Sequence, residues 1–203
     1  MNKTLLLLAA LTLPPVQAAD KLDPIQEQWA RCQYQVADEE REGCLEQLSI
    51  RADLASSANP TRTDLLIWSA IVKSTWAGAK GGLGALRLVK DARRRLEQAL
   101  QQDASALDGS AYTSLGSLYY QVPGWPVGFG DKDKAEQLLR QALRINPQGI
   151  DPNFFYGDFL LRQGRKEEAR SYLHKALQAP ARPGRELADT GRRKEIEARL
   201  ARL

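Results

Sequence analysis

Three small or branched apolar positions recur at a fixed interval late in the chain. Ala135, Leu139 and Ala142 are followed 34 residues later by Ala169, Leu173 and Ala176. Within each set the steps of four and three keep all three side chains on one face of a helix. A unit of this length, repeated end to end, cannot bury its apolar face alone. It does so by stacking on its copy, which restricts the chain to a helical-repeat architecture. The alternation of alanine and leucine has a packing role: alanine lets two helices approach, and leucine fills the seam between them. A second helix with the same logic precedes each set. Leu115, Gly116 and Tyr119 stand before the first, and Tyr156, Gly157 and Leu160 before the second.

Over Ser110 to Pro183 these residues resemble the tetratricopeptide repeat (TPR) pattern. In the first copy Tyr112, Leu115, Gly116 and Tyr119 occupy the front helix, Ala135 and Leu139 the back helix, and Pro147 ends it. In the second, Asn153, Tyr156, Gly157, Leu160, Ala169 and Leu173 take the same slots, with Pro180 one residue early. A third, divergent copy precedes them. Ala92, Leu96 and Ala99 repeat the back-helix pattern, but Ser69 and Lys73 stand where the front helix, around Leu66 to Lys73, should carry Leu and Tyr. The resemblance implies an all-α, TPR-like right-handed α-solenoid of antiparallel helix pairs, with a concave groove lined by front helices.

The flanks complete the expected organisation. Residues 1–18 read as a signal peptide: Lys3, an apolar run from Leu5 to Leu13, and small residues at Val16 and Ala18. Cleavage near Ala18 would make the protein periplasmic or secreted. Residues 19–58 read as a helical hairpin turning at Asp38 to Glu42. Cys32 and Cys44 lie six residues either side of Asp38, so antiparallel helices would bring them level. In an exported chain that spacing suggests a disulfide, and two thiols with no nearby histidine make a poor zinc site. Residues 59–183 hold the three helix pairs, with insertions near 77–85 and 122–130. Thr63 or Asp64 is placed to cap the front helix of the first pair. The glycine-rich insertion lacks the Lys-Ser/Thr and preceding strand of a phosphate loop and is expected to be a flexible connection. Asp103 to Gly109 reads as a polar connection. Residues 184–203 form a capping helix started by Asp189 or Thr190, with Ile196, Leu200 and Leu203 as its apolar stripe.

Composition excludes some functions. The formal charge of +4 comes from bases scattered among acids, so no nucleic-acid footprint is expected. No segment is apolar enough for stable membrane insertion. Asp131 and Asp133 suit a helix start rather than a calcium loop, and no metal or cofactor is expected. One histidine, His174, and no paired carboxylates or activated nucleophile argue against an enzyme.

The expected function is that of an exported interaction scaffold or adaptor, engaging a protein or peptide partner in the cell envelope through the groove, with self-association left open. The resemblance directs Asp64, Ile67, Ile71 and Ser74 into the groove from the first pair, Thr113, Ser117, Tyr120 and Gln121 from the second, and Phe154, Asp158 and Arg162 from the third. Packing against a neighbouring helix is the competing role for Ile67, Ile71 and Phe154. These positions include no cluster of lysine and arginine to attract an acidic chain terminus. Trp125 and Phe129, among prolines and glycines, have two open readings: a local plug over the helix pair, or a lip touching a ligand. A further resemblance, to periplasmic T-component proteins of TRAP transporters, rests on export, interrupted helix pairs and the glycine-aromatic insertion. It implies the alternative of a small-molecule-binding accessory component of a transport system, with a closed apolar cavity.

Overall fold

The computed structural model describes residues 22–203, so the signal-peptide reading of residues 1–18 lies outside the described residues. Nine helices and no strand are found among the described residues. They are α1 (Leu22–Tyr34), α2 (Asp38–Ala58), α3 (Thr63–Lys80), α4 (Gly82–Gln102), α5 (Ala106–Gln121), α6 (Lys132–Ile145), α7 (Ile150–Arg162), α8 (Lys166–Leu177) and α9 (Glu186–Leu200). The repeated pairs are α3/α4, α5/α6 and α7/α8. The back-helix triplets are the tightest part of the core: Ala92, Leu96, Ala99, Ala135, Leu139, Ala142, Ala169, Leu173 and Ala176 are all fully buried. The front-helix glycines explain the close approach. A Cβ on Gly116 would lie 2.8 Å from Leu139 Cγ, and one on Gly157 2.9 Å from Leu173 Cγ. The same contact is thus built twice from equivalent residues.

The divergent first repeat replaces its missing apolar residues with charge. Lys73 is buried and its Nζ reaches Asp53 at 2.6 Å on α2 and Asp91 at 2.7 Å on α4. Arg95 joins the same carboxylates and donates to Ser69 Oγ at 3.1 Å. The two residues that depart from the repeat pattern therefore tie three helices together. A buried cation is tolerable here because it is paired.

Four local expectations are corrected. The stretch Ala77 to Ala85 is not a flexible loop: α3 continues to Lys80 and α4 starts at Gly82. Only Gly81 and Gly82 take positive φ, 65° and 59°, and this pair is enough to reverse the chain, so the extra residues lengthen both helices. The polar connection before the second repeat is shorter than Asp103 to Gly109, because α5 begins at Ala106. Leu107, Asp108 and Gly109 take consecutive left-handed conformations, and Ser110 Oγ donates to Leu107 O at 2.7 Å as the regular helix begins. Neither Thr63 nor Asp64 caps α3, whose capping position is Arg62. Asp64 instead pairs with that arginine at 2.6 Å. Finally, α9 starts at Glu186, so Asp189 is inside it and receives the Arg182 backbone N–H at 3.0 Å.

The flanking helices do more than cover the ends. A disulfide joins Cys32 on α1 to Cys44 on α2, with Cα atoms 5.7 Å apart. Beyond α2, α1 packs on α3 and on α9, and α9 packs on α7 and α8 as well. The contacts α1–α3, α3–α5, α5–α7, α7–α9 and α9–α1 therefore close a ring of five inner helices, with the even-numbered helices outside. At the closure Tyr34 lies against Gly191, where an added Cβ would stand 2.4 Å from the tyrosine ring. The two ends of the repeat array meet.

Candidate partner-binding cavity

The closed inner ring surrounds a cavity of about 1020 Å³. Its floor is one face of α5. Ser110, Thr113, Ser114, Ser117 and Gln121 line it at steps of three and four, which is the helical repeat. This row of short polar side chains runs for about 16 Å along the helix. Ser110 and Ser117 turn their hydroxyl protons onto Leu107 O and Ser114 O, leaving their oxygen lone pairs for an acceptor role. The α3 wall carries Trp68, Ile71, Ser74 and Thr75, and the α1 wall Trp29, Gln33 and Tyr34. Trp29 is fixed by its indole N–H, which donates to Thr75 Oγ1 at 2.9 Å, and by edge contacts with Trp68 and Tyr34. Leu83, Val122, Pro123 and Val127 line the end towards the C-termini of the front helices.

The opposite end is charged. Arg182, Arg185 and Arg192 meet Asp151, Asp189 and Glu195 where α9 closes on α1 and α7. Asp151 accepts from Arg182 at 2.7 Å and from Arg192 at 2.9 Å. Arg182 also bonds Asp189, and Arg192 bonds Glu195. Burial works against the Asp151 charge, but the Arg192 and Arg182 guanidiniums outweigh it and hold its pKa down at about 2. Burial pushes the Tyr34 hydroxyl well above its ordinary range, so it stays protonated as a donor. Arg41, at the start of α2, lines the same cavity, and its Nε is buried without a partner.

The sequence-derived groove residues separate into three sets. Ile71, Ser74, Thr113, Ser117 and Gln121 line the cavity. Ile67 and Phe154 are buried in the packing between helices. Tyr120, Asp158 and Arg162 lie off the cavity and tie helices together: Asp158 accepts from Tyr120 at 2.9 Å, from Arg162 at 3.1 Å and from Arg199 of α9 at 2.6 Å. Asp64, paired with Arg62, is also outside it.

Trp125 and Phe129 take different roles. Phe129 packs edge-on against Tyr119 with centroids 5.5 Å apart, under the Arg93 guanidinium at 5.0 Å. Trp125 is 89% exposed. Neither lines the large cavity, whereas their neighbour Val127 does. The loop itself is held by Gly130 N–H to Pro123 O and Asp131 N–H to Tyr119 O, each 2.9 Å. A Cβ on Gly130 would come within 2.0 Å of Val122 O, so this hairpin needs glycine there.

The charged end of the cavity is the part that sequence reasoning missed. Its arginines lie after the last repeat, in a segment that reads as a breaker and cap. Gly191 inside an otherwise regular helix was the available signal, since a glycine there marks a close approach. Among the described residues no group of His, Cys, Asp and Glu could hold a metal, and no helix is long and apolar enough to cross a membrane.

Comparison with known proteins agrees with this architecture. A tetratricopeptide repeat family pattern matches residues 127–185. The structure is similar to that of a thermophilic TPR protein of Thermus thermophilus, with 21% sequence identity, 88% of this chain and 89% of that chain covered, and a TM-score of 0.57. A sequence match of 29% identity over 96 residues links 47% of the chain to L-lactate dehydrogenase B of Hordeum vulgare, and one of 28% links it to L-lactate dehydrogenase A of the same plant. The chain spans about a quarter of the length of those two relatives. The chain is an all-α helical-repeat solenoid, similar in fold to TPR proteins and carrying a TPR match that spans α6, α7 and α8.

Proposed function

We propose that this chain is an exported adaptor that takes a peptide segment of a partner protein into the cavity enclosed by its inner helices. The observation that carries the reading is the α5 row, Ser110 to Gln121, turned towards a cavity with apolar walls. A row of short hydroxyl and amide groups suits the repeating N–H and C=O groups of a peptide backbone, while the walls suit its side chains. Dehydrogenase chemistry is not part of the proposal. A dinucleotide site of the common kind needs a strand, a glycine turn and a helix in sequence, and the described residues are helical pairs.

The test is selection of peptides from a displayed random library on the purified protein. Ser117→Trp, which places an indole in the middle of the floor, is expected to weaken the selected peptides by about tenfold or more, the scale of damage at the centre of an interface. Its melting temperature should change little. Undiminished binding to that variant would contradict the reading. Export is checked on protein recovered from cells: a mature chain still carrying Met1 to Ala18 would contradict it.

A second reading, a small-molecule accessory component of a transport system, draws support from the cavity volume, which sits at the upper end of ligand pockets. The polar floor favours the peptide reading over it. A small molecule retained by the purified protein through native mass spectrometry would reverse that preference.

A further inference from the structure

The charged end of the cavity is balanced in number and unbalanced in pairing. Three carboxylates face three arginines, but Asp151, Asp189 and Glu195 are bonded by Arg182 and Arg192 alone. Arg185 lines the cavity and forms no hydrogen bond or ion pair through its side chain among the described residues. Its Nε is buried without a partner. Its one side-chain contact of note is the face of Trp68, 4.9 Å from the guanidinium carbon. A cation–π contact of this kind holds a guanidinium in place without using its N–H donors.

We propose that Arg185, seated over the Trp68 ring, anchors the carboxylate of an aspartate or glutamate side chain on the peptide that occupies the cavity. The proposal rests on the peptide reading above and names the chemistry of one contact. A buried guanidinium donor with no acceptor is costly, and a carboxylate entering beside it satisfies the donor and the charge together. Asp151 and Asp189 attract Arg185 without bonding it, while burial and the neighbouring Arg182 lower its pKa. An incoming anion relieves both effects.

A side chain suits this place better than a chain terminus. A chain terminus would have to end at Arg185, whereas a side chain lets the peptide run on along the α5 floor. An aspartate or glutamate carries its charge on a methylene stem with no donor, and the Tyr34 ring lines the cavity beside that stem.

The experiment uses the full chain, isotopically labelled, with the Arg185 Nε–H and Trp68 indole N–H resonances as reporters. The probe is N-acetyl-glutamic acid α-amide, a glutamate side chain with both backbone ends blocked. The neutral control is N-acetyl-glutamine amide, and N-acetyl-glutamine with a free α-carboxylate represents a chain terminus. The blocked glutamate is expected to give saturable shifts at both reporters, with the neutral control weaker by about tenfold or more. Arg185→Gln should abolish the Trp68 response. Its melting temperature should fall by only a few degrees, because the guanidinium makes no hydrogen bond or ion pair among the described residues and only its contact with Trp68 is lost.

Equal responses to the charged and neutral probes would overturn the proposal. So would a stronger response to the free terminus, or a glutamate response that survives Arg185→Gln. Ser117→Trp reads the cavity floor independently of this contact. Selected peptides that bind through the floor while blocked glutamate fails would remove the anchor and leave the peptide reading standing.

Discussion

Asp151 carries an unusual share of the structure for one side chain. It sits in the first turn of α7 and holds Arg182 and Arg192, so it joins the front helix of the last repeat to the cap. Its carboxyl ordinarily takes up a proton near pH 3.8 but in the fold does so only near 2, because Arg192 and Arg182 outweigh the effect of burial. Glu136, bonded by Arg165, Arg140 and Tyr156, is likewise brought from 4.5 to about 2 against its own burial. For groups lowered in this way, the stabilisation is complete above the unfolded value and is lost as pH falls through the folded one. Stability should therefore be level above about pH 5 and fall between about pH 4 and 2. Asp151→Asn should lower stability at neutral pH by about 2 kcal/mol, since it leaves Arg182 with Asp189 and Arg192 with Glu195 as their remaining carboxylate partners, and should flatten the acid limb of a denaturant–pH series. An unchanged acid limb in that variant would show that Asp151 does not carry the dependence. Arg192 illustrates what sequence can say at this scale. Its charge is visible, but its burial against Phe154 and Phe155, at 4.4 and 4.8 Å, follows from α9 folding back onto α7, which no local pattern encodes.

Helices and their pairing were the most legible level. The Ala-Leu-Ala triplets specify three pairs, and in two of them a glycine faces the leucine, each contact being local: Gly116 meets Leu139 within one hairpin, as Gly157 meets Leu173. Length within elements was harder to read. The stretch 77–85 looks like a loop by glycine count, yet Gly78 and Gly84 are accommodated inside helices and only Gly81 and Gly82 turn the chain. Trp125 and Phe129 part company for a related reason: a hairpin held by its own backbone turns Phe129 inward onto Tyr119, as a plug, and leaves Trp125 outside. The α1–α2 hairpin is where an element meets function. The Cys32–Cys44 bond holds α1, and α1 supplies Trp29 and Tyr34 to the cavity wall. Replacing Cys32 by Ser should cost about 3 kcal/mol for so short a loop. It should also speed amide hydrogen exchange in α1 more than in α7 or α8. Uniform loss of protection along the chain would mean that α1 does not move as a separate unit.

The whole molecule departs from an open repeat array. A TPR-like stack has two free ends, but here the inner layer runs α1, α3, α5, α7, α9 and returns to α1. The closure turns a concave face into a cavity and brings Arg182, Arg185 and Arg192 from beyond the last repeat to its end. That explains why the repeats by themselves suggested a groove without basic residues. The closure depends on Tyr34 lying flat on Gly191, residues separated by most of the chain, so it was the least accessible feature to sequence reasoning. Nuclear Overhauser contacts between the Tyr34 ring protons and the Gly191 α-protons test it. The expected result is a direct cross-peak comparable to that between Tyr34 and Trp29, whose ring centroids are 5.8 Å apart. Assigned resonances that show the Trp29 contact but none to Gly191 would mean that the ends of the array stand apart and the cavity is open.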